Sequence, residues 1–400
     1  MIKKVFKGKL HRKSAGEHSS LWFFYGLNTK TKKIKPQVRS KKSKWLSLLF
    51  FIVNLVVVGV VLAVQLNSEE GVGSLKELFT NDKNIEFLLI AIACFIISEC
   101  LVAFKLNKIS KKFNKKSSYI TCLKSEFICQ YYNKVTPFSI GGQPFQVYEL
   151  NKQGMRANNA VTVVSCNYIS SKFIYWFVSL FMMITIATNS LVKNMSGTSF
   201  YIVLILALIS LFFMTIYLTF IILICVNKKI ANKLIVLGLN LLYKLKIVKD
   251  KKKMYFKIMR PALSFQHKMQ TFFKAKKFAS FSLLISLIVY LIQSCIPACI
   301  YFIFEPFSWG VLWQLLSISV IIQLSFGVMP MPGGSGVAEF SFYAVFKSLI
   351  QDNFVFWALI IWRILTYYIY ILIGLVILVY NYAYGNKKLK KRRQKLKSDT

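Results

Sequence analysis

Long apolar blocks alternate with short polar segments over most of this chain. The blocks run Trp45–Leu66, Ile85–Phe104, Ala160–Ala187, Phe200–Val226, Phe278–Phe304, Trp309–Val328 and Phe354–Tyr384. At ~1.5 Å of rise per helical residue, each is long enough to reach across a hydrocarbon layer of ~30 Å. The pattern therefore predicts membrane helices. Phe200–Val226 is the most uniformly apolar, and Pro297 predicts a kink inside Phe278–Phe304.

Two stretches break this rhythm. Tyr119–Val135 is moderately apolar but carries Lys124, Glu126 and Lys134, and reads as an interfacial or half-inserted helix. It runs into Thr136-Pro137-Phe138-Ser139-Ile140-Gly141-Gly142-Gln143-Pro144. The second break, VMPMPGGSGVAE, holds Pro330, Pro332, Gly333, Gly334 and Gly336, then Glu339 at the start of a renewed apolar run. Neither break can continue a helix. Backbone groups freed at membrane depth are tolerated only where protein or a water-filled cavity satisfies them. A broken helix followed by a carboxylate points to a polar site near the bilayer midplane.

Charge sets the orientation. Residues 1–44 carry 14 Lys or Arg and one acid, Glu17; Lys105–Ser118 carries six lysines; Asn227–Lys277 carries 15 Lys or Arg and only Asp250; and Lys387–Lys397 carries eight. The loop Asn67–Asn84 is mildly acidic, with Glu69, Glu70, Glu77 and Asp82. The excess of Lys and Arg on the cytoplasmic side of membrane proteins puts the arm 1–44, the loop 227–277 and the tail 385–400 inside. Seven crossings would leave the tail outside, so an eighth is required. The run Ala338–Ile350 supplies it together with the PMPGGSG break, since alone it spans only ~20 Å. The expected fold is an all-α integral membrane protein of about eight transmembrane crossings, with two Pro/Gly-broken re-entrant elements and a transmembrane domain over residues 45–384. The partly apolar pieces of the loop 227–277 predict amphipathic helices on the inner leaflet.

Composition supports this and removes other classes. The chain is 56% hydrophobic with a mean hydropathy of +0.52, which a soluble domain does not reach. Its formal charge of +39 follows from a Lys-rich coding bias and cytoplasmic loops, and also suits anionic headgroups. No nucleic-acid module accompanies the charge. Eight cysteines lie in or beside apolar runs without a CxxC pair, and the three histidines sit in basic stretches, so neither a disulfide framework nor a metal site is expected. No ATP-binding P-loop is present, and no cofactor is implied.

Three stretches resemble one family, the transmembrane flippase-like domain of lysylphosphatidylglycerol synthases, the multiple peptide resistance factor group. They are PMPGGSGVAE, the earlier TPFSIGGQPFQVYELNKQG, and WRILTYYIYILIGL, with Arg363, Thr366, Tyr367, Tyr368 and Gly374 in the family's Arg and aromatic positions. Lys172 stands where the family usually has Arg, and Gln146 replaces another frequent Arg, removing one expected phosphate contact. The resemblance spans roughly Trp45–Tyr384. The full-length synthases carry a further soluble aminoacyl-transferase domain; here the sequence runs only 16 residues past Tyr384, so no tRNA-dependent chemistry is expected.

The resemblance implies movement of an aminoacylated (lysyl-phosphatidylglycerol-like) or other phosphate-bearing lipid between leaflets of the cell membrane. A headgroup crossing hydrocarbon needs fixed countercharges, because an unpaired charge at the bilayer centre costs at least ~2.5–3.5 kcal/mol. Arg363 offers a planar fork of donors to a phosphate, Lys172 a mobile charge, and a helix starting near Gly334–Ala338 offers free N–H groups. Glu339, Glu149 and Glu99 offer acceptors to a cationic headgroup, and Thr136 and Tyr367 join the binding set through the resemblance. Pro137, Gly141 and Gly142 shape the first break as Pro330, Pro332, Gly333, Gly334 and Gly336 shape the second. Structural alternatives stay open: Arg363 and Glu339 as a mutual ion pair, Lys172 snorkelling to the interface, Glu99 neutralising Lys105 or Lys108, Gly374 serving helix packing, and the tyrosines forming a packing surface. The rival functions are the membrane part of a phosphatidylglycerol lysyltransferase, a polyprenyl-phosphate-glycan carrier, and a non-transporting scaffold. A homo-oligomer is compatible with each.

Overall fold

The structure is a computed structural model. It describes residues 82–381, apart from 115–116, 140, 153, 187–191, 193–197, 245–249 and 328. The basic arm, the first expected span Trp45–Leu66 and the basic tail lie outside the described residues. Among those described there is no strand, and the chain is an all-α, multi-pass membrane protein.

The helices are α1 (Asp82–Phe113), α2 (Tyr119–Val135), α3 (Gly142–Lys152), α4 (Ala157–Thr185), α5 (Thr198–Val226), α6 (Lys228–Lys244), α7 (Lys251–Lys274), α8 (Lys276–Phe304), α9 (Trp309–Ser325), α10 (Val337–Phe346) and α11 (Asp352–Arg363). After Arg363 a π-turn, Ile364–Tyr368, carries α11 onward, so one helix runs over Phe354–Asn381. Among the described residues, five helices are long and apolar enough to cross a membrane: α1 from Asn84, α4, α5 to Cys225, α8, and the extended α11. They match five of the eight expected crossings. The apolar helix α9 has 17 residues and α10 has ten.

Apolar side chains on α5 point outward along its length, including Ile205, Phe212, Ile216 and Phe220. In water each would forfeit roughly 1.5–3 kcal/mol of burial, whereas lipid accepts them. The opposite face of α5 packs on α9 and α10. The main core joins α1, α4, α5, α8, α9, α10 and α11 through residues such as Phe95, Ile300, Ile318, Phe342 and Leu359. A second cluster ties the basic end of α1 to α4 and α7 through Leu106, Val163, Met269 and Phe272. The helix α8 runs on through Pro297 without interruption.

One boundary differs from the sequence reading. The loop expected to begin at Lys105 is helical as far as Phe113, and Lys105 is buried with 1% exposure. An apolar block marks only where a helix is surrounded by lipid or core. Here the helix continues because polar partners on α4 and α8 accept the lysine.

Each break joins two helices into a hairpin. Thr136 precedes Pro137, and the ring of a proline disfavours α geometry in the residue before it; Thr136 is extended (φ −113°, ψ 146°) and α2 stops. Met331 is extended before Pro332 in the same way (φ −89°, ψ 144°). The hairpin α2–α3 is closed by the stacked rings of Tyr132 and Phe145. The hairpin α9–α10 is closed by a 2.7 Å hydrogen bond between Ser325 Oγ and Ser341 Oγ. The turn Pro137–Ser139 packs directly against the turn Pro332–Gly334, so the two hairpins meet at their tips.

Candidate functional site

The two tips are built by side chains that replace the missing helical hydrogen bonds. Thr136 Oγ1 donates to the Tyr132 carbonyl at 2.6 Å and accepts from the Gly141 N–H at 3.0 Å. Asn133 Oδ1 accepts from the Gly142 N–H at 2.9 Å. Phe138 and Ser139 take left-handed conformations (φ 57° and 52°), which non-glycine residues adopt rarely and at a cost. In the second tip Ser335 Oγ donates to the Pro332 carbonyl at 2.9 Å. Gly333 is left-handed (φ 61°), and a Cβ there would overlap the Tyr367 ring. That close approach is the contact between the second turn and the continuation of α11.

Glu339 sits three residues into α10 and turns back to its own helix start. Its Oε2 accepts from the Gly336 N–H at 2.6 Å, the reach-back half of a capping box. The same oxygen lies 2.7 Å from Arg363 Nη2. Both side chains are buried, at 0% and 4% exposure. The pair is incomplete. Neither Arg363 Nε nor Nη2 makes an aligned hydrogen bond, and Glu339 Oε1 has no partner. The guanidinium lies 5.0 Å from the Trp362 ring centroid and 5.3 Å from that of Tyr367. Cation–π contact of this kind suits Arg, whose planar group is weakly hydrated.

Arg363, Tyr367, Tyr370 and Gly374 are spaced four, three and four apart and form one helical face. Tyr367 hydrogen-bonds Ser335 in the second turn. Tyr370 donates to Glu99 Oε1 on α1 at 2.8 Å. Gly374 sits against Tyr131 of α2, where a Cβ would collide with the ring, as the packing alternative for this glycine has it. The π-turn directly after Arg363 adds one residue to the helical repeat. Such turns recur at functional sites because they re-aim side chains.

The residues singled out in the sequence thus divide. Arg363, Glu339, Tyr367, Thr136 and the glycines and prolines of both breaks converge at the paired tips. Lys172 is half-buried on α4 with its ammonium 5.2 Å from the Tyr175 ring centroid and 5.7 Å from that of Tyr168. Lys134 on α2 is within electrostatic range of both Lys172 and Arg363. Glu149 is buried on α3, and its ion-pair partner is Lys152 on the same helix at 3.8 Å. The free N–H groups expected at the start of α10 are partly used, since Glu339 takes that of Gly336. Glu99 does not neutralise Lys105 by contact: Lys105 Nζ donates to Ser171 Oγ at 2.6 Å and Ser286 Oγ at 2.8 Å.

Several polar residues inside the protein escaped the sequence reading. Glu126 is buried on α2 and held by two amides, Gln130 Nε2 at 3.0 Å and Gln146 Nε2 at 2.8 Å. Gln146, read as the loss of a phosphate contact, is the partner of a buried carboxylate. The signal was available in part: Glu126 and Gln130 share a helix face at i,i+4. No spacing rule links them to Gln146 across the break.

An uncharacterised protein of Mycoplasma genitalium is 29% identical over 118 residues, which are 29% of this chain and 30% of that protein. The chain thus spans about three-tenths of the length of the curated relative it matches. No solved structure gives a significant match. The model for the lysylphosphatidylglycerol synthase transmembrane region matches residues 44–374, which include both hairpins, the Arg363–Glu339 pair and Lys172. With most of its length covered by that match, the chain belongs to the lysylphosphatidylglycerol synthase transmembrane-region family.

Proposed function

We propose that this protein moves a phosphate-bearing phospholipid, of the anionic or aminoacylated phosphatidylglycerol kind, from one leaflet of the cell membrane to the other. The observation that carries the reading is the half-made Arg363–Glu339 pair at the meeting point of two broken hairpins. A buried guanidinium with Nε and Nη2 lacking aligned partners has donor capacity that a phosphate uses well, because two parallel N–H groups match two phosphate oxygens. Discontinuous helices meeting within the membrane are the usual architecture for a polar substrate at the midplane. Family membership supports a lipid-related role.

In this reading the phosphate binds Arg363, with Lys172 and Lys134 adding positive potential along its path, while the acyl chains stay in lipid. Glu339 releases Arg363 to the phosphate and is then free to hold a cationic aminoacyl group. Tyr367 and Thr136 hold the two turns in register beneath it. The termini and the helices α6 and α7 face the cytoplasm, where their lysines meet anionic headgroups. No chemical step on the lipid is assigned to these residues.

The test is a leaflet-resolved assay in proteoliposomes, in which dithionite quenches labelled phosphatidylglycerol only in the outer leaflet. A panel of labelled lipids, zwitterionic and anionic, resolves the headgroup. Wild-type protein should accelerate exchange of the anionic lipids, and Arg363→Ala should remove that acceleration. Exchange at the wild-type rate by Arg363→Ala would overturn the assignment.

A further inference from the structure

A second buried polar cluster lies beside the paired tips and differs from the Arg363–Glu339 pair in kind. Glu99 on α1 has 2% exposure; Tyr370 donates to its Oε1 at 2.8 Å, and its Oε2 has no partner. Glu126 on α2 has 4% exposure and accepts only from the two glutamine amides. Lys105 on α1 has 1% exposure and donates only to two serine hydroxyls. Among the described residues, none of the three makes a direct ion pair. They are nevertheless linked electrostatically through Glu126, which acts on both Glu99 and Lys105.

This arrangement has a chemical consequence. A proton added to or removed from Arg363–Glu339 would break an ion pair. Hydroxyl and amide partners, by contrast, accommodate a carboxyl or an amine in either protonation state, because a hydroxyl both donates and accepts and a side-chain amide, turned over, offers its oxygen in place of its N–H. The unpartnered Oε2 of Glu99 is open to a proton without displacing any protein hydrogen bond. Carboxylates inside membrane segments mark proton relays when they line a path with exchangeable neighbours. The groups around Glu99 and Lys105 complete the picture. α2 brings Glu126, Cys129 and Lys134, and the extended α11 brings Tyr370. α4 contributes Ser171 and a single cation, Lys172; α8 contributes Ser286, and its lysines, Lys276 and Lys277, lie at its start. Neither α4 nor α8 contains an acid.

We propose that Glu99 and Glu126, with Lys105 and Tyr370, form a proton-exchange site that couples lipid movement to a transmembrane proton gradient. The proposal rests on the translocation reading above and adds its energy source. Tyr370 lies on the same helical face as Arg363 and Tyr367, so a change of charge at Glu99 is transmitted to the helix that carries the phosphate clamp. The proton enters from water on one face and leaves on the other, and the lipid is not altered.

The experiment uses the full chain in proteoliposomes containing labelled phosphatidylglycerol, with trapped pyranine to report internal pH. Exchange is measured at symmetric pH and with a gradient imposed in each direction. For wild type, opposite gradients should change the rate in opposite senses by several-fold, and pyranine should report proton movement that accompanies exchange. The double variant Glu99→Gln, Glu126→Gln should lose the gradient response, whatever its rate at symmetric pH. Tyr370→Phe, which keeps the ring packing, should weaken the response and serves if the double variant does not fold. Measurable exchange by wild type that ignores the gradient overturns the coupling and leaves translocation standing. A gradient response retained by the double variant overturns the site. Absence of exchange by wild type overturns both readings together.

Discussion

The incomplete Arg363–Glu339 pair permits a test that separates a structural role from a transport role. Removing Arg363 alone strands a carboxylate with 0% exposure, which keeps only the Gly336 N–H as a partner on Oε2. Breaking a buried pair by deleting one partner costs about 3–5 kcal/mol. The remaining N–H reduces that cost, so about 3 kcal/mol is expected for Arg363→Ala. At 1.4 kcal/mol per tenfold, this is a change on the order of a hundredfold in the folding equilibrium. Replacing both partners by apolar groups of similar volume, Arg363→Met with Glu339→Leu, removes the stranded charge. Such exchanges are often neutral, or stabilising by about 1–4 kcal/mol.

Thermal unfolding in detergent and lipid exchange in vesicles should therefore diverge. The single variant loses both stability and exchange. The double variant recovers most of the stability, minus about 1 kcal/mol for the lost cap of α10, yet stays inactive, because no donor remains for the phosphate. The two outcomes that decide are simple to read. A double variant that exchanges anionic lipid like wild type would refute the phosphate-clamp argument and leave the pair as a packing element. A double variant as unstable as the single one would refute the stranded-charge arithmetic.

Three further outcomes follow from other parts of the fold. Gly333→Ala should cost at least about 1–2 kcal/mol from its left-handed backbone and lose exchange as the Cβ displaces Tyr367, measured by melting temperature and vesicle assay together. Asp250→Cys in a cysteine-free background should react with a membrane-impermeant maleimide only from the cytoplasmic face; labelling from outside would reverse the proposed orientation. On α7, burial and then the nearby Arg156 hold the Lys268 ammonium below the ordinary lysine value of 10.5. The unfolded chain then binds more protons, so stability should rise as pH climbs from the shifted value towards 10.5. Lys268→Gln should flatten that slope in a pH series of unfolding midpoints.

The sequence carried the two breaks clearly, because Pro137, Gly141 and Gly142, and then Pro332 to Gly336, are incompatible with a continuous helix wherever they fall. It carried Arg363 and Glu339 for a related reason: an ionisable group inside an apolar run is expensive and therefore visible. Lys105 was lost to the same logic applied in reverse. Lysines at the end of an apolar block read as a cytoplasmic loop, and only the serines of α4 and α8, more than sixty residues away, turn this one inward. Gln146 failed similarly, since its role depends on Glu126 across the first break. Local chemistry is written in the order of residues. Partners brought together by the meeting of hairpins are not.

The way Glu339 is held fits the proposed translocation, in which one pair would serve both stability and passage. Were Arg363 and Glu339 bound through two parallel hydrogen bonds, a phosphate would have to displace both and leave a buried carboxylate unsupported, a penalty of several kcal/mol. Instead Oε2 is shared between the guanidinium and the Gly336 N–H, and Gly336 reaches that position only because its φ of 87° is open to glycine. When a phosphate takes Arg363, the carboxylate keeps the backbone N–H and the positive end of α10, a favourable place for negative charge. The glycine-rich break thus lowers the energy of the separated state relative to the paired one. In the proposed cycle, exchange between protein and lipid countercharges would then be a small step, which is what repeated binding and release demands.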